Sequence, residues 1–293
     1  VKRRAFVTTA VGAASLALAA VVIVAVAALL GRGGDPIEIA GEPPRTSRNG
    51  SRETSDVAAK RVFFGHQSVG ADIVRGLSAV FAETSTPLSL VESRARQAGS
   101  SGLFQHATIG TNGDPLGKIA DFAAVMNGEL GDGVDVALMK LCYIDFTSTT
   151  DPQAVFDAYV STMDALEKSH PDVVFLYTTA PITVDPGWTS KVTSTFKVWL
   201  GRSEASTPEN LVRGRFNDLI RARYASSGRL FDIAALESRL DNGNHAGKDD
   251  DGATYMVMNP ALASDGAHLN DRGARLLAED LVRIVAATPS PRP

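Results

Sequence analysis

Arg61-Val62-Phe63-Phe64-Gly65-His66-Gln67-Ser68-Val69-Gly70 is followed by Ala71 to Phe81. The run Arg61 to Phe64 is apolar and strand-like, and Ala71 to Phe81 suits a helix. Between them lies a sharp turn that carries Ser68. A serine in a strand-to-helix turn is exposed, and its own N–H can face an oxyanion bound at the helix start. The plain alternative is a helix cap, because serine is a favoured N-cap.

The same alternation continues along the chain. Leu88–Val91, Val134–Met139, Asp172–Tyr177 and Leu230–Ile233 read as further strands. Val155, Phe156, Tyr159, Val160, Met163 and Leu166 share one helical face. Ser206-Thr207-Pro208-Glu209 resembles a capping box that starts a helix through Arg223. Asp271 can cap a last helix on which Ala274, Leu277, Leu281 and Ile284 share a face. Continuous apolar strands alternating with helices predict an α/β fold: a parallel sheet covered by helices on both sides. In such sheets the site gathers beyond the carboxyl ends of the strands.

A second candidate site is Ser264-Asp265-Gly266-Ala267-His268-Leu269-Asn270, just before the last helix. Asp and His three apart in a turn can set a carboxylate against an imidazole. The carboxylate then fixes the tautomer, and the other ring nitrogen is free to take a serine proton. The alternative is a loop in which Asp265 makes a turn and His268 is solvated.

Together, these two segments resemble the SGNH (GDSL-like) hydrolases. In that family the serine follows the first strand in a Gly-Asp-Ser motif, and Asp-x-x-His precedes the last helix. Phe64-Gly65-His66-Gln67-Ser68 corresponds to the first block and Asp265-Gly266-Ala267-His268 to the last. The layout extends over about residues 59–287. The resemblance implies a flavodoxin-like three-layer sandwich and a triad of Ser68, Asp265 and His268. The Ser-Asp-His order also suits α/β-hydrolases, but those carry Gly-x-Ser-x-Gly in mid-chain and keep Asp and His well apart.

The family's middle blocks supply oxyanion donors, and here the match is partial. Ile109-Gly110-Thr111-Asn112-Gly113-Asp114 is the region of the second block, with Gly113 as the donor chosen over Gly110; a simple glycine-rich turn is the alternative. The third block, Gly-x-Asn-Asp, faces Cys142-Tyr143-Ile144-Asp145. Asp145 fits the last position, while Cys142 and Ile144 replace the Gly and the donating Asn. Lys140 and Tyr143 are the nearby polar substitutes. His66 displaces the family's Asp, and either binds substrate or hydrogen-bonds across the turn. Cys142 reads as a buried core thiol rather than a nucleophile, with no helix N-terminus near it.

Composition bounds the rest. The chain has 293 residues, with 44% hydrophobic and 21% charged residues and a formal net charge of -4. No basic block is long enough to neutralise a run of phosphates, which argues against nucleic acid as a partner. A single cysteine excludes an intrachain disulfide. No metal or other cofactor is called for: the acidic segments Asp241–Asn244 and Asp249–Gly252 lack the closing glutamate of a calcium loop and read as a solvated excursion. Lys2, Arg3 and Arg4 precede an uncharged run from Ala5 to Leu30. That run exceeds the roughly 20 residues that span a bilayer, and it is longer than a usual signal-peptide core. The expectation is an uncleaved transmembrane signal anchor over 1–30, with the basic cluster in the cytoplasm and the remainder outside. A cleaved or twin-arginine signal is the alternative. Residues 31–58, rich in Gly, Pro and Ser, are expected to form a flexible linker, 59–288 the hydrolase-like domain, and 289–293 a disordered tail.

The function expected is extracytoplasmic, membrane-anchored serine ester hydrolysis, on a small-molecule or glycan ester of the cell envelope or a lipid. An acyltransferase on the same scaffold, or a non-catalytic envelope binding module, are the competing readings.

Overall fold

The structure, a computed structural model, describes residues 35–41, 50–98, 101–185 and 209–289. Strand β2 (Arg61–His66) is central in a parallel six-stranded sheet. Its other members are β3 (Ser89–Glu92), β4 (Leu103–Thr108), β5 (Val136–Met139), β6 (Val174–Thr178) and β7 (Leu230–Phe231), in the order β3-β4-β2-β5-β6-β7. The chain runs from β2 to one edge and back, then crosses to the other side at β5. Such a reversal opens a crevice at the carboxyl ends of the central strands.

Both faces of the sheet are buried, and the two-residue alternation of a strand decides which side chain goes where. Val62, Phe64, Val136, Leu138 and Leu176 pack with α2 (Ser68–Thr84), α6 (Ile233–Glu237) and α7 (Asp271–Ala287). Phe63, Ala137, Met139, Phe175 and Tyr177 pack with α3 (Pro115–Met126), α4 (Pro152–Ser169) and α5 (Glu209–Tyr224). This is the three-layer α/β architecture that the strand-helix alternation predicts. The last helix is capped by Asn270 rather than Asp271: the Asn270 side chain accepts from Gly273 N–H at 3.0 Å. The segment 206–208 of the expected capping box lies outside the described residues.

Two expectations are corrected. The segment 31–58 does not form a flexible linker where it is described. Asp35–Ile39 is strand β1, which pairs antiparallel with β8 (His245–Asp250), and Gly50–Ala58 is helix α1. The acidic excursion is a hairpin: β8 pairs with β9 (Ala253–Met256) across a turn in which Asp251 and Gly252 have φ of 51° and 86°. Asp-Gly satisfies a turn that needs positive φ at both central residues, and β-ladder bonds hold the flanks. At the C-terminus, Thr288 is buried and its carbonyl accepts from Lys60 Nζ at 3.1 Å, so ordered structure extends to that residue.

The contact between α2 and α7 sets the position of both candidate segments, since each helix begins at one of them. It is close because Gly76 has no side chain: a Cβ there would lie 2.3 Å from Ala274 O. Gly76→Ala must push the helices apart, so we expect a loss of about 1–3 kcal/mol in stability by urea unfolding, the usual cost of overpacking.

Candidate active site

The β2–α2 turn is held from beneath by imidazoles. His66 is buried. Its Nδ1 lies 3.0 Å from Gln67 O, and its Nε2 lies 3.1 Å from His106 Nδ1. A carbonyl only accepts, so Nδ1 of His66 carries the proton and its Nε2 accepts from His106 Nδ1–H. Burial, the Lys140 charge and the His106 charge push His66 down to about 3, against a bond to Gln67 that favours the cation. Gly70 permits the tightness of this turn, because a Cβ there would lie 2.3 Å from His66 Cβ. His66 therefore hydrogen-bonds across the turn, the structural alternative of the two. Ser68 is the first residue of α2, with Gln67 as the N-cap, so it is not a helix cap. Ser68 is exposed, and its hydroxyl makes no hydrogen bond among the described residues.

The second segment closes on one carboxylate. Asp265 Oδ2 lies 2.7 Å from His268 Nδ1, and Oδ1 accepts from the N–H groups of Ala267 and His268, each at 3.0 Å. Gly266 makes the turn feasible with φ of 111°. A carboxylate accepts, so His268 carries its proton on Nδ1 and offers the Nε2 lone pair. Burial pushes the Asp265 carboxyl up, but the Ala267 and His268 bonds outweigh it and hold the group below its usual range. The Tyr143 ring stands edge-on to the His268 ring, with centroids 5.8 Å apart.

Two long-range bonds bring these segments together. Leu269 N–H donates to Asp72 Oδ2 at 3.1 Å, and Arg75 Nη2 donates to Leu269 O at 3.1 Å. Asp72 lies one helical turn after Ser68, and Leu269 directly follows His268. The start of α2 and the imidazole loop are thus stitched side by side at the carboxyl edge of the sheet. The Ser68 hydroxyl and the His268 ring are not themselves hydrogen-bonded to each other.

The middle-block residues behave differently from the sequence expectation. Asp145 is buried and accepts from Lys118 Nζ at 2.7 and 2.8 Å, Gly113 N–H at 2.9 Å and Cys142 N–H at 2.6 Å. It is an acceptor inside the protein rather than a substrate group. Gly113 was the expected oxyanion donor, but its N–H is engaged by Asp145. The N–H of Gly110, the alternative, donates to Asp121 Oδ2 at 2.7 Å. Lys140 is fully buried, with its amine 3.4 Å from Leu141 O, so it does not reach the surface as an oxyanion donor. Burial pushes its pKa down. Tyr143 remains at the site, and Arg213 Nε fixes its carbonyl at 2.8 Å. Ile144, at the position of the family's donating Asn, is 39% exposed and offers no donor. Cys142 is buried, in keeping with a core thiol.

Sequence reasoning missed the residues that hold the site: Gln67, Asp72, His106 and Lys118. Gln67 Nε2 donates to Ile109 O at 2.9 Å and Gly110 O at 3.1 Å, tying the loop after β4 to the serine turn. Only its place directly before Ser68 could have marked it. The others lie far along the chain from their partners and leave no spacing signal.

No family model and no curated protein matches the chain. Several solved structures are similar in fold. One is a protein of Streptococcus pneumonia provisionally described as a platelet activating factor, at 11% identity and a TM-score of 0.46, covering 91% of this chain and 99% of that one. Another is a member of the lipolytic protein G-D-S-L family from Veillonella parvula, at 14% identity and a TM-score of 0.42, covering 75% and 94%. A third is the periplasmic domain of a lipopolysaccharide acetyltransferase from Salmonella ser. Paratyphi A, at 13% identity and a TM-score of 0.38, covering 79% and 86%. At such identities and scores no role passes from them to this chain.

Two outcomes are expected from this geometry. Asp145→Ala leaves the buried Lys118 ammonium without its counter-ion and should cost about 3–5 kcal/mol of stability by urea unfolding. For His66, whose pKa falls from 6.5 to about 3 on folding, the unfolded chain binds more protons in that window. Its contribution is present above pH 6.5 and is lost as the pH falls, with a slope of up to about 1.4 kcal/mol per pH unit. The stability difference between wild type and His66→Gln should shrink by that slope on acidification, as read by unfolding curves at stepped pH.

Proposed function

We propose that this chain is a serine ester hydrolase of the SGNH type, with Ser68 as nucleophile, His268 as general base and Asp265 as the group that orients it. The observation that carries the reading is the Asp265 carboxylate bonded to His268 Nδ1 at 2.7 Å, in a loop stitched to the first turn of α2. That bond leaves Nε2 as the only basic atom of the ring and stabilises the imidazolium once it forms. His268 Nε2 takes the Ser68 proton as Oγ adds to the acyl carbon. The first-turn N–H of Ser68, which has no partner within the helix, faces the developing oxyanion. The imidazolium then returns the proton to the leaving alcohol, and water repeats the cycle on the acyl-enzyme. Catalysis requires the exposed Ser68 hydroxyl to come within hydrogen-bond reach of the half-buried His268 ring.

The substrate we assign is an acyl ester of the cell envelope, a glycan or a lipid. The support is the apolar run Ala5–Leu30 behind Lys2, Arg3 and Arg4, which suits a membrane anchor with the catalytic domain outside. That run lies outside the described residues. No helix among the described residues is long and apolar enough to cross a membrane. The same acyl-enzyme could be discharged by a sugar hydroxyl instead of water, and product analysis with a glycan acceptor separates hydrolase from transferase.

The test is turnover of a short-chain aryl ester with fluorophosphonate labelling. Ser68→Ala should abolish both, and Asp265→Asn should lower kcat by about 10⁴. Full turnover by Ser68→Ala removes the serine mechanism. A wild-type protein that neither labels nor turns over leaves a non-catalytic binding module.

A further inference from the structure

One side chain beside the serine turn has an orientation that chemistry forces. Lys118 Nζ lies 2.9 Å from the amide end of Asn112, and the same ammonium binds both Asp145 oxygens. An ammonium only donates, so the Asn112 atom facing it is Oδ1, and Nδ2 points the other way. Asn112 is exposed, and its Nδ2 makes no hydrogen bond among the described residues.

The loop that carries this free donor is fixed against the nucleophile. Gln67, the residue before Ser68, donates to Ile109 O and Gly110 O at 2.9 and 3.1 Å, three and two residues before Asn112. From the other side, Asp145 holds Gly113 N–H at 2.9 Å. Most backbone donors of this loop are occupied: Gly110 N–H by Asp121, Gly113 N–H by Asp145 and Asp114 N–H by Thr111 O at 3.2 Å. Across the crevice, Ile144 supplies no donor. A preorganised amide at this edge is therefore available from Asn112.

We propose that Asn112 Nδ2 is the second oxyanion donor of the site, alongside Ser68 N–H. The inference rests on the reading of Ser68 as nucleophile and names what completes it. As Oγ bonds to the acyl carbon, the carbonyl π pair moves onto oxygen. The Asn112 and Ser68 N–H groups meet that charge. When the pair returns, the carbon–oxygen bond to the alcohol breaks and the alcohol leaves with the His268 proton. Lys118 strengthens the donor, because a cation on Oδ1 polarises the amide toward Nδ2.

Asn112→Asp in the full-length chain is the test. It keeps size and an acceptor for Lys118, but replaces the donor with a carboxylate where negative charge develops. With a short-chain aryl ester, kcat should fall by about 10²–10³, the usual loss for one oxyanion donor, while the melting temperature holds. KM should change by less than about threefold, as befits an interaction made in the transition state. Asn112→Ala should give a similar loss of kcat. If either variant keeps kcat within about threefold of a wild type whose turnover depends on Ser68, Asn112 is not the donor and the Ser68 reading stands. A loss of kcat that merely tracks the folded fraction in both variants also overturns the proposal. A wild type with no Ser68-dependent turnover overturns the Ser68 reading, and this donor with it.

Discussion

The Asp145 carboxylate is the constraint on which the site's frame depends. It is fully buried, where an unpaired charge would cost several kcal/mol. The cost is met by the Lys118 ammonium and by two backbone N–H groups, so that both oxygens are occupied. Those donors come from separate parts of the chain: Gly113 from the loop after β4, Lys118 from α3 and Cys142 from the loop after β5. A charge that must be satisfied from three directions holds two loops in one relative position. Neither loop has regular structure enough to do so alone. Gln67 extends this frame to the serine turn.

Beneath the turn, the protein avoids charge. His66 is held neutral by burial and by a chain of bonds that uses each ring nitrogen once. Protonating His66 would set two N–H donors against each other, so the chain itself opposes it. His106 can gain a proton on Nε2 without breaking the bond that it donates. The imidazole pair therefore stays intact over a wider pH range than two independent histidines would.

The sequence discloses the elements whose signal is local. Strands β2, β5 and β6 are continuous apolar runs, and a parallel strand covered on both faces must be so. Strand β4 was not read, because Gln105 and His106 interrupt it; both are explained only by tertiary bonds, to Ala95 O and to His66. The acidic segment reads as a solvated excursion, and its turn is exposed; the β8–β9 pairing that flanks it leaves no sign, since the acidic residues mask the Asp-Gly turn. Strand β1 escaped notice because its partner lies some 200 residues away. The candidate triad divides the same way. Asp265 and His268 are three residues apart, and their bond is a property of one turn. The frame of Asp145, Lys118 and Gly113 exists only after folding, and the same carboxylate read as a substrate group from its position alone.

The chemistry of the crevice then follows from a contrast in solvation. Ser68, Asn112 and His268 keep access to water, so holding them in place costs no buried charge. Elsewhere in the dry interior, burial drives two titratable groups toward neutrality: Glu237 is pushed up to about 8 and Lys140 is pushed down. Glu237 Oε1 lacks a partner among the described residues, a penalty of about 1–3 kcal/mol for a neutral acceptor and more for a charged one. Protonation of Glu237 is thus the cheaper state at neutral pH. The Asp265 carboxylate, 2.7 Å from His268 Nδ1, is the anion in direct contact with that ring. That carboxylate stabilises an imidazolium. On the proposed mechanism, an anion beneath Ser68 would oppose the charge that develops on the acyl oxygen. The burial that leaves Glu237 Oε1 without a partner among the described residues is therefore the same burial that favours its neutral form.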